Sequence, residues 1–177
     1  MVSGAELIFY GLDNIKTMDK IYIVEGEMDA LSLHESGIYS VCSVPNGASK
    51  GNQRLEYLDN CWTYFKDKKE IILCTDNDTA GIELRNELAR RFGAYKCKYI
   101  DFGEYKDANE LLTKKGAETL RNVLNEPKNF PLEGILNISD IWQSVLSYNE
   151  AGVKNYSIGL PNSDEFFKMS MGEWTVV

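Results

Sequence analysis

Between residues 20 and 126, short β-rich apolar runs alternate with helix-compatible segments, and this alternation constrains the fold more than any other feature of the chain. Ile21-Tyr22-Ile23-Val24 leads into a helical stretch over 28–36 that Gly37 stops. A second run at 39–44 is closed by Pro45-Asn46-Gly47, and 54–66 places Leu55, Leu58, Cys61, Trp62 and Phe65 at helical spacing. Ile71-Ile72-Leu73-Cys74 precedes a helix over 79–92 that ends at Gly93; 96–100 reads as a fourth strand, and 107–126 as two short helices broken at Gly116. Continuous rather than alternating apolar runs are those of strands covered on both faces. Strand and helix in strict alternation, joined by short connections, predict an α/β fold: an open, doubly wound, Rossmann-like and mainly parallel sheet with helices on both faces.

The flanks read differently. Residues 1–19 are a lead-in whose apolar 7–10 stretch predicts an extra strand, and 20–126 form the α/β domain. Residues 127–155 read as a linker, opening on the proline-containing PKNFPLEG and carrying an amphipathic helix at 138–152. That helix has Ser139-Asp140 as its cap and Ile138, Ile141, Trp142, Val145, Leu146 and Tyr148 as its stripe. The final stretch, 156–177, stops inside the strand-like Trp174-Thr175-Val176-Val177, which predicts that the chain was cut from a longer protein.

Composition narrows the functional classes. At 44% hydrophobic and 26% charged the chain is globular, and a net charge of −8 argues against gripping nucleic acid by bulk charge. Chemistry on nucleic acid stays open, because carboxylates gathered around a metal ion lower the net charge and the ion restores it locally. No apolar run approaches the ~20 residues of a membrane span and no basic-then-apolar leader is present, so we expect no membrane association and a cytoplasmic protein. Cys42, Cys61, Cys74 and Cys97 form no C-x-x-C pair and His34 is the single histidine, which argues for reduced, packed cysteines over a zinc site.

The chemistry-bearing residues fall just after predicted strands. Glu25-Gly26-Glu27-Met28-Asp29 follows the first, Asp76-Asn77-Asp78-Thr79-Ala80-Gly81 the third, and Lys106-Asp107-Ala108-Asn109-Glu110 the fourth. Ligands of an open parallel sheet bind beyond the carboxyl ends of its strands, so Glu25 and the Asp76/Asp78 pair should share one rim. Two carboxylates ~4 Å apart repel by ~4 kcal/mol at an effective dielectric of about 20, and therefore call for a cation or a proton. Oxygen donors without histidine or cysteine suit Mg2+ or Mn2+. Acids at these places also serve as helix caps, and Asp29 or Asp107 taken alone reads as one. The polar 45–52 loop, with Lys50 and Arg54 nearby, offers cations to nucleotide phosphates or DNA, although its composition is also that of a plain surface loop. Arg90-Arg91 reads as dipole compensation at a helix end, and Tyr57, Trp62 and Phe65 as core.

EGEMDAL, DNDTAG and KDANELL resemble the three motifs of the TOPRIM domain, and KDANE with the tail is most similar to phage-type replicative primase-helicases, the Twinkle-like family. The tail motifs Tyr156-Ser157-Ile158-Gly159-Leu160-Pro161 and Met171-Gly172-Glu173-Trp174 resemble the entry of a RecA-like helicase domain. The resemblance implies a TOPRIM fold and Mg2+-dependent nucleotidyl transfer, making RNA primers from ribonucleotides on single-stranded DNA. It implies Glu25 as general acid/base or metal ligand, Asp76 and Asp78 as metal ligands with Asp29 in support, and Lys106 as a catalytic cation. Lys106 and Asp107 would form a charge pair at the nucleotide phosphate, with Asn109 as a polar contact. It further implies a hexameric ring docked through the 138–152 helix, in a bacterial or phage-infected cell. A complete primase of this type adds a zinc-binding module and another subdomain, neither visible here, so the isolated chain is expected to make little primer. The competing readings are a TOPRIM nuclease and a non-catalytic spacer of a replicative helicase.

Overall fold

In the computed structural model the apolar runs pair side by side, and the residues described are 6–47 and 55–130, with 141–142, 146, 155–157, 159 and 169–170 beyond them. In chain order the elements of the first part are α1 (Leu12–Ile15), β1 (Lys20–Val24), α2 (Glu27–Glu35), β2 (Val41–Ser43), α3 (Glu56–Asn60), α4 (Trp62–Phe65), β3 (Glu70–Cys74) and α5 (Thr79–Phe92). A 3-10 turn (Ala94–Lys96) then leads to β4 (Cys97–Tyr99), α6 (Ala108–Lys115), α7 (Ala117–Leu124) and β5 (Lys128–Asn129). The five-stranded sheet has the order β2-β1-β3-β4-β5. Its first four strands run parallel, and β5 pairs antiparallel with β4.

Successive residues of each strand feed opposite cores, as the pleat requires. Ile21, Ile23, Ile71 and Leu73 pack with Ile15, Leu58, Phe65, Leu84, Leu88 and Phe92 from α1, α3, α4 and α5. Tyr22, Val24, Ile72 and Cys74 pack with Ala30, Leu33, Ala108, Leu111, Leu120 and Leu124 from α2, α6 and α7. Residues 22–24 and 71–73 are almost wholly buried, which is why these strands read as unbroken apolar runs. The four cysteines are reduced and buried.

The boundaries follow the sequence reading closely at α2, α5 and the α6–α7 pair, where Gly37, Gly93 and Gly116 all take positive φ. The structure departs from it in three places. The stretch 54–66, read as one helix, is two: Cys61 leaves the helical region (φ −106°, ψ 7°) after Asp59-Asn60, residues that favour turns over helix interiors. Leu55, Leu58, Cys61 and Phe65 are buried, while Trp62 is 40% exposed and lies parallel to the ring of Phe92. The lead-in makes a single antiparallel bridge, Tyr10 to Ser43, instead of a strand. Lys128–Asn129, read as the start of a linker, joins the sheet through Lys98 and Tyr99. Among the described residues no helix is long and apolar enough to cross a membrane.

The chain divides into two compact units, Met1–Phe130 and Pro131–Val177. In the second, β6 (Asn155–Tyr156) pairs antiparallel with β7 (Met169–Ser170). Residues 141–142 and 146 are helical; the other positions of the helix expected over 138–152 and the Trp174 to Val177 run lie outside the described residues.

Lys68 ties the lead-in to the rest of the first unit. Its buried ammonium donates to the carbonyls of Ile15, of Lys16 at 3.2 Å and of Met18 at 2.8 Å, closing the end of α1. Methionine would keep the stem and withdraw this donor from all three carbonyls, leaving that of Ile15 with the Met18 N–H alone. Lys68→Met should therefore lower unfolding stability in urea by about 2 kcal/mol, within the range for a buried charged hydrogen-bonding group.

Candidate active site

The two central strands end side by side. β1 and β3 are parallel neighbours with Val24 opposite Cys74, so Glu25 and the Thr75-Asp76 step leave the sheet together. The helices that follow, α2 and α5, belong to opposite faces of the sheet. This is the switch point at which open α/β sheets leave a crevice. There the Asp76 N–H donates to Glu25 Oε2 at 3.2 Å. The 45–47 turn closes on the same carboxylate: a Cβ on Gly47 (φ +64°) would stand 3.6 Å from Glu25 Oε1.

The turn after β3 is tight. The Thr75 hydroxyl donates to the Gly81 carbonyl at 2.9 Å. A Cβ on Gly81 would lie 2.3 Å from the Asp76 carbonyl oxygen, so only glycine fits there. Asp78 caps α5, its Oδ1 accepting the Gly81 N–H at 2.9 Å. Asp107 caps α6 in the same way, accepting the Glu110 N–H at 2.7 Å.

Asp29, buried in the first turn of α2, accepts the Asn109 N–H at 3.1 Å and so links α2 to the start of α6. Burial pushes its carboxyl up to about 6; the Asn109 N–H opposes this, and the negative charges of Asp107, Asp76 and Glu25 add to it. Asp76 is also raised, chiefly by burial, although the Lys106 ammonium sits 2.8 Å from its Oδ2. Desolvation outweighs the ion pair here, and Asp107 and Asp78 contribute repulsion. The same pairing raises Lys106.

Glu25, Asp29, Asp76 and Lys106 are thus brought into one electrostatic cluster, with Asp78 and Asp107 at its edge in capping roles. Asn109 enters through its backbone N–H. Lys50 and Arg54 lie outside the described residues. Sequence reasoning passed over Glu110 and Asn77. Glu110 Oε2 accepts the Lys106 N–H at 2.7 Å, and its signal was legible as acid-x-x-Glu at a helix start, a capping box displaced by one residue. Asn77 binds the loop that carries Lys106, a role with no local signature.

The donor chemistry fits a hard divalent cation: carboxylates without histidine or cysteine, two of them held above their ordinary range by burial and mutual repulsion. Among the described residues, however, no three acidic, histidine or cysteine side chains converge as a ready-made cage. Asp76 is turned to Lys106, and Asp78 to its cap.

This α/β sheet with an acidic switch point matches the Toprim-like family over residues 22–112, and the chain belongs to that family. The Twinkle homolog protein of Arabidopsis thaliana (chloroplastic/mitochondrial) is 32% identical over 193 residues, covering 96% of this chain and 27% of the relative. The primase homolog protein of the same plant is 35% identical over 143 residues, covering 71% of this chain and 42% of the relative. Among solved structures, the primase fragment of the bacteriophage T7 primase-helicase protein superimposes with a TM-score of 0.51 at 30% identity, over 59% of this chain and 43% of that one. The chain spans less than half the length of each.

The raised carboxyl of Asp29 has a consequence for stability. Its folded value of about 6 lies above the ordinary 3.8, so the folded protein keeps a proton that the unfolded chain releases. Stability then falls as pH rises from about 4 to about 6, by about 3 kcal/mol at ~1.4 kcal/mol per pH unit. A neutral carboxamide in the same place has no such proton to lose. In metal-free buffer, Asp29→Asn should melt higher than the parent at pH 7.5, and thermal unfolding at pH 4 should show that advantage gone.

Proposed function

We propose that this chain is the metal-binding catalytic module of a DNA primase-helicase, joining ribonucleotides into RNA primers on single-stranded DNA. The observation that carries this reading is the meeting of Glu25 and Asp76 at the ends of adjacent parallel strands. It is supported by membership of the Toprim-like family and by similarity to proteins named as primase or Twinkle homologues. Asp76 and Asp78 would hold Mg2+ or Mn2+, with Asp29 supporting the cluster and Glu25 either completing it or taking a proton. When bound, the divalent ion supplies a lowered hydroxyl pKa and charge stabilisation at the phosphoryl group.

The residues of the chain do the rest. Glu25, partly exposed at the rim, accepts the proton of a primer 3′-hydroxyl brought against it. Lys106, with a side chain 57% exposed against 11% for Asp76, offers its outer donors to a nucleotide phosphate. Asp107 and Asn109 border that position, and Lys50 and Arg54 are assigned to nucleotide or template. The linker, which begins after β5 rather than at 127, would carry the helix expected over 138–152 as the closure of a hexameric ring, and 156–177 would begin the helicase domain, in a bacterial or phage-infected cytoplasm. The same carboxylates could cleave phosphodiesters in a nuclease; the similarity to the Twinkle homolog and primase homolog proteins favours primer synthesis.

Calorimetric titration with Mn2+ tests the metal assignment. The parent should bind, and the Asp76→Asn/Asp78→Asn double variant should bind at least about tenfold more weakly, a loss of ~1.4 kcal/mol or more. Equal binding by the two would refute it. In the full-length protein, Glu25→Gln should abolish primer synthesis and spare ATP-driven unwinding. Loss of both activities would assign Glu25 to folding instead.

A further inference from the structure

We propose that Asn77 is a positioning residue that sets the Lys106 ammonium against Asp76. The proposal rests on the reading of Asp76 and Lys106 as working parts of the site. Asn77 lies between Asp76 and Asp78, yet its hydrogen bonds reach across to another loop, the β4–α6 connection. Its backbone N–H donates to the Lys106 carbonyl at 2.7 Å. Its side-chain amide donates to the Tyr105 carbonyl at 3.1 Å and to the Gly103 carbonyl at 3.3 Å.

A carboxamide is the group this geometry requires. Its NH2 carries two donors and can serve two carbonyls at once, whereas a carboxylate of the same shape would set oxygen against oxygen. The β4–α6 loop is also braced from within: Asp101 Oδ1 accepts the Gly103 N–H at 2.9 Å, and Glu110 Oε2 accepts the Lys106 N–H. Those bonds shape the loop, while Asn77 fastens it to the strand end that carries Asp76. With its backbone held there, the otherwise exposed lysine side chain reaches Asp76 at 2.8 Å. An exposed lysine free to choose its rotamer would spend much of its time elsewhere. Asn77 therefore governs how strongly an internal cation competes with a metal ion for Asp76, and where that cation waits for an anionic ligand.

Two measurements test this, the first without metal. Hydrogen exchange in the 103–107 segment should quicken about tenfold in Asn77→Ala, the scale of one lost hydrogen bond, while β3 and α5 keep their protection. Asn77→Asp, which preserves shape and the backbone bond but cannot donate, should lose the same protection. Unchanged exchange in both variants would overturn the proposal.

The second is a double-variant cycle on Mn2+ affinity. Lys106→Met should tighten binding about tenfold and Asn77→Ala about threefold, and Asn77→Ala should have no further effect once Lys106 is gone. An equal effect of Asn77→Ala in both backgrounds would show that it acts independently of Lys106, and would overturn the assignment. A parent that binds no Mn2+ would refute the metal reading alone, and the exchange result would then decide the role of Asn77.

Discussion

The parallel pairing of β1 with β3 is the constraint on which the rest of this structure depends. Five consecutive residues of each strand are in register, from Lys20 opposite Glu70 to Val24 opposite Cys74. Both strands are covered on both faces, so neither can slip without exposing its apolar set. The register carries forward into the turns. Glu25 leaves one strand beside the Thr75-Asp76 step of the other, and a backbone N–H joins them. The absence of a side chain at Gly81 follows from the same step, since α5 must begin almost in contact with the carbonyl of Asp76.

Gathering acids at one rim is costly in electrostatic terms, and the fold answers with backbone dipoles. Each of five carboxylates there accepts a main-chain N–H: Glu25 from Asp76, Asp29 from Asn109, Asp78 from Gly81, Asp107 from Glu110 and Glu110 from Lys106. The N-termini of α2, α5 and α6 follow β1, β3 and β4, so the positive ends of three helices lie on the side where the acids collect. Asp29 and Asp76 are nonetheless held above the ordinary carboxylate range, chiefly by burial and further by the neighbouring acids. Lys106 is the one side-chain cation among the described residues seen to pair with Asp76. The site is thus electrostatically loaded yet structurally secure, a combination suited to taking up a cation.

The sheet was legible because its determinants are local: continuous apolar runs, glycines at helix ends, and acids placed just after strands. The sequence predicts a helix over 79–92 and α5 is found there, since Asp78 caps it and Gly93 ends it. Features that depend on distant partners were not legible. The turn preference of Asp59-Asn60 does not by itself require the helix to break at Cys61, and nothing in Lys128–Asn129 announces β4 as its neighbour. The site divides in the same way. That Glu25 and Asp76 converge could be argued from strand order, whereas the turn of Asp76 toward Lys106 and the reach of Asn77 to Tyr105 could not. Both depend on the path of the β4–α6 loop, which no periodicity encodes.

Capping and metal binding are compatible at Asp78 in the folded chain. A carboxylate has two oxygens and about four acceptor directions. The cap on α5 uses Oδ1 of Asp78 alone, for one N–H. Such a bond fixes the side-chain torsions of an exposed residue, and it leaves acceptor capacity on a carboxylate whose orientation is already settled. An unanchored aspartate would have to lose that freedom when an ion bound. The same reasoning extends to Asp29, whose Oδ1 is held by the Asn109 N–H. Helix capping here is therefore a means of preorganising acceptors, and an acid that caps a helix at the switch point of a parallel sheet remains a candidate ligand because of its structural role.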